Sequence, residues 1–415
     1  MPPPKGNAWL NDELKERALA FINANPGCGR ITLARSLGLS EYQAQTILRE
    51  LRDRVQTTEE NPTPTSPAVS PMVFLRHRIR VLEAENAQLM RERSVVSHLK
   101  DAFSEAIGAL PAIEIPKMNR VEYKPNLDPE DVILHVSDSQ VGQFVSADHT
   151  GGLGQYDYPT FCRRMARYRS NIGRILRYTP NPTPTCYLAL GGDIVDGSTV
   201  FRGQQRQIDL VTVRQVTSAY EQFAVLIQDL LEMFDNVVVV SVPGNHGRIG
   251  LKGENAPHDS YDWLLTYFLE ERFKRSEHAN RIRWYYPETW WALFEVRGFK
   301  FLLAHGDEFK SWLNIPFYGA DRYRGKMREL FHSLTGTKVD FDYVLTGHHH
   351  EAAAFHCMYL NGCWPGGSEF SLQKLQAGGI PSQNMLGVHE KRGVAWYRQV
   401  FLAERNELPQ PEVFR

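Results

Sequence analysis

The chain has 415 residues, which at roughly 100–200 residues per domain leaves room for two or three domains. Its 42% hydrophobic and 23% charged residues are the mix of a soluble globular protein, not of a disordered or fibrous one. A formal net charge of −1 excludes any global electrostatic pull toward nucleic acid, anionic membrane or acidic partners, so such binding would need a local basic patch.

The chain opens Met1-Pro2-Pro3-Pro4-Lys5, without the apolar core of a signal peptide. Residues 12–56 read as helical, with Leu14, Ala18, Phe21 and Ile22 at helical spacing. After Pro26-Gly27 comes a short helix, a turn holding Gly38, a Ser40 cap and a second amphipathic helix through Tyr42, Ala44, Ile47, Leu48 and Leu51. This order resembles a helix-turn-helix unit, here assigned to residues 1–56, with Gln43, Gln45, Arg49 and Arg52 as nucleic-acid contacts. A small helical adaptor for a protein partner is the alternative. Residues 57–71 are rich in Thr, Pro and Ser and read as a flexible linker.

A long helix is expected over 72–108. Leu75, Leu82, Leu89, Val96 and Phe103 recur at heptad spacing, and Ile79 and Asn86 hold companion positions. The expectation is a coiled coil that makes a homodimer, weakened toward its end by Arg93 and Lys100. Pro111, Pro116, Pro125 and Pro129 mark a second linker, 109–130.

From 131 to 415 short apolar runs alternate with helical stretches such as Pro159–Leu176 and Val213–Phe234. The runs Val132–Val136, Cys186–Leu190, Val237–Val242, Phe301–Ala304 and Tyr343–Leu345 read as buried strands of an α/β domain. The stretch 366–401 reads as further strands closing the second sheet, with Gly367-Ser368 inside one of them. The five cysteines, Cys28, Cys162, Cys186, Cys357 and Cys363, form no CxxC pair, and an odd count in a long chain points to reduced thiols. No run approaches the ~18 apolar residues of a membrane span.

The chemistry lies at the strand ends. The first strand ends Ser137-Asp138-Ser139-Gln140, and the second Gly192-Asp193-Ile194-Val195-Asp196. The others end Gly244-Asn245-His246-Gly247, His305-Gly306-Asp307 and Gly347-His348-His349-His350. Function in open α/β sheets concentrates at carboxyl ends of strands, and glycines there let the chain turn sharply. Each piece alone is a common loop sequence; all five in order form a donor set of carboxylate, amide and imidazole groups.

The series resembles the calcineurin-like metallophosphoesterase superfamily, whose motifs run DxH, GDxxD, GNHD/E, an isolated His and GHxH, over roughly residues 131–370. The resemblance implies a two-sheet β-sandwich flanked by helices. It implies a first divalent metal among Asp138, Gln140, Asp193 and His350, and a second among Asp193, Asn245, His305 and His348, bridged by Asp193. Such pairs clamp a phosphoryl group and activate water. Mixed oxygen and imidazole ligation suits manganese, iron or zinc, and the resemblance to the family's nucleases implies manganese first, with iron, zinc or magnesium as alternatives. His246 matches the family's general acid, and Asp196 would orient it. Two departures stand out: Gln140 replaces a histidine, and Gly247 replaces an acid.

Substrate contacts are expected from Arg202 and Arg206 after the second motif, Arg248 after the third, and Tyr318 and Arg322 in a basic-aromatic stretch, 310–328. The combination resembles bacterial or phage DNA-repair nucleases, which implies a cytoplasmic phosphodiesterase acting on DNA. The alternatives are a phosphatase or small cyclic-nucleotide diesterase with an N-terminal docking module, and a DNA-binding regulator with a weakened metal domain.

Overall fold

A computed structural model describes residues 127–310, 316–336, 339–369, 371–372 and 378–407, with shorter pieces at 14, 16–18, 20–21, 30–40, 44, 47, 100–101 and 104–108. Gln43, Gln45, Arg49, Arg52, the 57–71 linker and most of 72–126 lie outside the described residues.

The chain divides into two compact units, Met1–Arg91 and Glu92–Arg415. In the first, helix α1 (Arg30–Leu37) stops at Gly38, whose φ of 65° is the left-handed conformation that closes helices. Leu33 and Ala34 pack with Ala18, Ala44 and Ile47 in a small core flanked by Leu14, Phe21, Leu37 and Leu39.

The second unit is built on two sheets. The first has the order β11-β10-β1-β2-β3-β4. Its strands are β1 (Glu130–Val136), β2 (Thr185–Leu190), β3 (Asn236–Ser241), β4 (Ile282–Tyr285), β10 (Ser382–His389) and β11 (Gly393–Phe401). β1 to β4 run parallel, while β10 is antiparallel to both β1 and β11. The second sheet has the order β5-β6-β7-β9-β8, from β5 (Trp291–Val296), β6 (Phe299–Ala304), β7 (Tyr343–Thr346), β8 (Ala353–Phe355) and β9 (Met358–Leu360).

Side-chain alternation explains the layers. On β1, Val132, Leu134 and Val136 face α2 (Tyr158–Arg177), α3 (Thr212–Met233) and α4 (Tyr261–Phe273). Ile133 faces the other way, into the core between the sheets with Tyr187, Ala189, Val238 and Val240 from the first sheet and Phe294, Phe301, Leu303 and Leu345 from the second. Strands covered on both faces need apolar residues at nearly every position, which is why β2 and β3 are largely apolar runs, while β4 at the sheet edge alternates buried Ile282 with exposed Arg283. The outer face of the second sheet is covered by α5 (Pro316–Thr335) through Ala320, Tyr323, Met327 and Phe331.

Two sequence expectations are corrected. The C-terminal strands do not close the second sheet; β10 pairs with β1 and extends the first. Gly367-Ser368 is not in a strand: Ser368 and Ser371 exchange side-chain-to-backbone hydrogen bonds, a local pairing that competes with a sheet ladder. Ile107, at the end of the helix expected over 72–108, is buried in the core of the second unit. The four described cysteines are free thiols. Among the described residues no helix is long and apolar enough to cross a membrane.

Candidate metal centre

The strand-end loops meet above the carboxyl ends of β1, β2, β3, β6 and β7. Five of the seven expected ligands sit in left-handed backbone: Asp138 (φ 52°), Gln140 (φ 42°), Asp193 (φ 52°), His348 (φ 66°) and His350 (φ 59°). Each such residue costs of the order of 1–3 kcal/mol, so the fold concentrates strain where these side chains are aimed. Gly192 (φ 84°) makes the turn before Asp193, and a Cβ on it would collide with the backbone of Gly244. The second and third loops can therefore touch only through glycine.

Asp193, His305 and His348 offer ligand atoms that all lie within 4.8 Å of one another. Asp193 Oδ2 is 3.1 Å from His305 Nε2, which is in turn 3.0 Å from Asn245 Oδ1. The other His305 ring nitrogen is 2.8 Å from the Gly191 carbonyl, fixing the ring so that Nε2 faces the centre. A second group lies beside it. His350 Nε2 is 3.3 Å from Asp138 Oδ1, and Gln140 Nε2 lies 3.4 Å from the same His350 nitrogen. Ser137 Oγ donates to Asp138 Oδ2 at 2.5 Å, and the His348 backbone N–H donates to Asp138 at 3.1 Å.

The donor set fits divalent cations. Burial works against charge on Asp193, but the imidazoles of His305 and His246 hold its carboxyl well below the usual range. Burial likewise depresses His305, yet the charges of Asp193, Asp138 and Asp307 lift it to about 10. Without metal the pair is thus an ionised carboxylate beside a protonated imidazole, a positive charge standing where a cation is wanted. Burial and the positive charge of His305 push His348 down to about 3, leaving a neutral ring ready to ligate. The buried Gln140 Oε1 has no hydrogen-bond partner among the described residues. Turning that amide over brings the oxygen beside His350, where a metal would satisfy it.

His246 stands at the edge of this cluster. Its backbone N–H donates to Asp193 Oδ1 at 2.6 Å, and its Nδ1 is 3.0 Å from Asp196 Oδ1. Burial disfavours its charge, but Asp193 and Asp196 raise it to about 9, so it holds a proton at neutral pH before metal binds.

The sequence reading missed three supporting residues. Gln204 is fully buried and donates through Nε2 to Asp196 O (2.7 Å) and Oδ2 (3.0 Å), while its Oε1 accepts from Val200 N–H. Asp262, near the start of α4, accepts from the backbone N–H groups of Asp193, Ile194 and Gly244. Burial and the Asp193 charge push its carboxyl up to about 6. Ser137 braces Asp138. In sequence Gln204 looks like a loop amide and Asp262 like first-turn helix chemistry, so only the fold reveals either.

The expected substrate contacts divide. Arg202 and Arg206 are exposed on the loop after β2, where Phe201 lays its ring edge-on to His246 at 6.2 Å. Arg248 is turned onto Asp307 at 2.5 Å, an ion pair beside the centre rather than an open phosphate contact. Tyr318 and Arg322 are exposed on α5, but Tyr323 is core, and Arg324, Lys326 and Arg328 pair with Asp321, Glu329 and Asp340.

The profile of the family described as calcineurin-like phosphoesterase matches residues 132–352, more than half of the chain. The chain belongs to the calcineurin-like phosphoesterase family. A calcineurin-like phosphoesterase is a metal-dependent hydrolase, in keeping with the donor cluster. Over 92 residues the chain is 30% identical to the DNA polymerase II small subunit of Halobacterium salinarum, covering 22% of this chain and 16% of that protein's length. Among solved structures it is similar to vacuolar protein sorting 29 from Cryptosporidium parvum, at 16% identity over 63% of this chain and 87% of that one, with a TM-score of 0.28. Vps29 from Entamoeba histolytica, solved in complex with zinc, matches at 12% identity over 66% of this chain and 99% of that one, with a TM-score of 0.26.

Proposed function

We propose that this calcineurin-like phosphoesterase is a two-metal phosphodiesterase that cleaves DNA. The observation that carries the diesterase reading is the junction of the two donor groups with His246 at their edge, its Nδ1 held by Asp196. Asp138, Gln140, Asp193 and His350 would hold one ion, and Asp193, Asn245, His305 and His348 the other. Bound there, such a pair neutralises phosphoryl charge and supplies an activated nucleophile near neutral pH. Asp193 is the residue both ions would share. His246 would donate a proton to the leaving oxygen, its ring fixed by Asp196, whose Oδ1 lies 3.0 Å from Nδ1. Manganese suits the mixed donor set, with iron, zinc or magnesium as alternatives.

DNA as substrate is supported by exposed Phe201, Arg202 and Arg206 on the His246 side, by exposed Tyr318 and Arg322, and by the partial likeness to a DNA polymerase subunit. Rings suit bases and cations suit phosphates. The helix-turn-helix reading of residues 1–56 would add a tether, and the 72–108 helix a homodimer.

The test is incubation with manganese and single- or double-stranded DNA, RNA, bis-p-nitrophenyl phosphate and a phosphomonoester. Turnover of DNA and the diester is expected, lost in Asp193→Ala and His246→Ala. Deleting residues 1–70 should weaken DNA cleavage and spare the chromogenic diester. Preference for the monoester, or DNA cleavage indifferent to that deletion, would count against the respective halves of the reading.

A further inference from the structure

The third strand-end motif carries Gly247 where the family pattern has an acid. The position is filled from elsewhere. A Cβ built on Gly247 would run into Asp262 Oδ2, with Asp262 Cγ at 2.8 Å and Ser260 Oγ at 2.9 Å. The gap between that Cβ and Oδ2 is about the span from Cβ to a carboxylate oxygen within one aspartate. An aspartate at 247 thus has the reach to put an oxygen where the Asp262 oxygen already lies.

Asp262 is 1% exposed, and its two oxygens take three backbone N–H groups: Asp193 at 3.0 Å, Ile194 at 3.0 Å and Gly244 at 2.9 Å. Two of these belong to the loop that carries Asp193 and the third to the loop that carries Asn245 and His246. One carboxylate therefore clips together the two loops whose side chains make the centre. Asp193 needs such a clip because its backbone is left-handed (φ 52°), a conformation held only if its surroundings over-determine it. The carboxylate is itself set by the helix start: Ser260 Oγ accepts from Asp262 N–H at 3.2 Å, and Tyr261 N–H donates to Gly247 O at 2.7 Å.

We infer that Asp262 is a positioning residue for the metal centre, supplying from α4 the carboxylate that a side chain at 247 would otherwise provide, and that Gly247 is glycine because Asp262 occupies its side-chain space. The inference rests on the metal-centre reading above. It adds a reciprocal relation between two positions 15 apart in the chain that neither motif contains.

The experiment compares the full-length chain with Asp262→Asn, Asp262→Gly, Gly247→Asp and the double variant Gly247→Asp/Asp262→Gly. Manganese affinity is measured by calorimetric titration, kcat and KM with bis-p-nitrophenyl phosphate, and melting temperature without metal. Asp262→Asn keeps the shape but turns an N–H donor toward donors. It should bind manganese about 10–100-fold more weakly and lose kcat with KM nearly unchanged, the usual cost of losing support behind a ligand. Gly247→Asp alone should be equally impaired by collision. The double variant should recover most of the manganese affinity and kcat that each single change loses. Wild-type manganese affinity and kcat in Asp262→Asn, or no recovery in the double variant when both it and Asp262→Gly melt near the wild type, would overturn the inference. If the wild type proves unable to hydrolyse any phosphoester, the function fails, but the manganese titration still decides the role of Asp262.

Discussion

At the scale of single residues, the centre is made by side chains whose backbones are unfavourable in isolation. Asp138, Gln140, Asp193, His348 and His350 are all left-handed, so their loops must be held by hydrogen bonds from outside. Gln140 is where the chemistry departs from the family pattern. A neutral amide oxygen is a poorer donor than imidazole, so Gln140→His should tighten the weaker of two manganese-binding steps by about ten-fold or more, measured by calorimetric titration; one unchanged isotherm would mean that position 140 does not ligate. Gln204 acts one layer out. Gln204→Leu removes both donors to Asp196 and strands the Val200 N–H. The expected result is a kcat at least about ten-fold lower at unchanged KM for a chromogenic diester, with stability reduced by about 1–3 kcal/mol in urea melts.

At the scale of elements, β1, β2, β3, β6 and β7 were legible because burial leaves a plain apolar signature, and α2 and α3 by their helical spacing. Parallel β4, with Arg283 and Tyr285 exposed, carries no such signature. The C-terminal strands were legible as strands but not in their partners. β10 reaches β1 across most of the domain, and no local pattern specifies that pairing. Gly387 on β10 sits opposite Trp396 on β11, and a Cβ on it would enter the indole ring. The ring is held flat there by Trp396 Nε1 donating to Glu130 Oε2 at 2.7 Å. Gly387→Ala should therefore cost about 1–3 kcal/mol by overpacking, read as a lower denaturation midpoint with an unchanged slope; a neutral result would show that the indole can move aside. The 310–328 stretch teaches the converse. Its alternating cations and rings look like a strand-binding surface, yet helical spacing turns Tyr323 inward and puts Arg324 and Lys326 beside acids three residues away.

At the scale of the whole second unit, the centre joins the two sheets. Asp138, Asp193 and Asn245 come from loops after first-sheet strands, and His305 and His348 from loops after second-sheet strands. Ions bound there would cross-link both halves and bind only the folded state. Saturating manganese, at about 100 times its dissociation constant, should add about 2.7 kcal/mol per site of stability. That is a rise of a few degrees in melting temperature, reversed by chelator and absent in Asp193→Ala.

What the sequence alone determined was the class of chemistry. The candidate strand-end ligands are signalled locally, because an apolar run that ends in a donor residue, in most cases beside a Gly, states both the strand and what it presents. The tertiary structure decided everything that depends on separate segments meeting. It set the clip of Asp262 on two loops, the brace of Gln204 on Asp196, the ion pair that withdraws Arg248, and the sheet that β10 and β11 join. These contacts link positions with no common spacing, and their energy exists only once the chain has closed the loops between them.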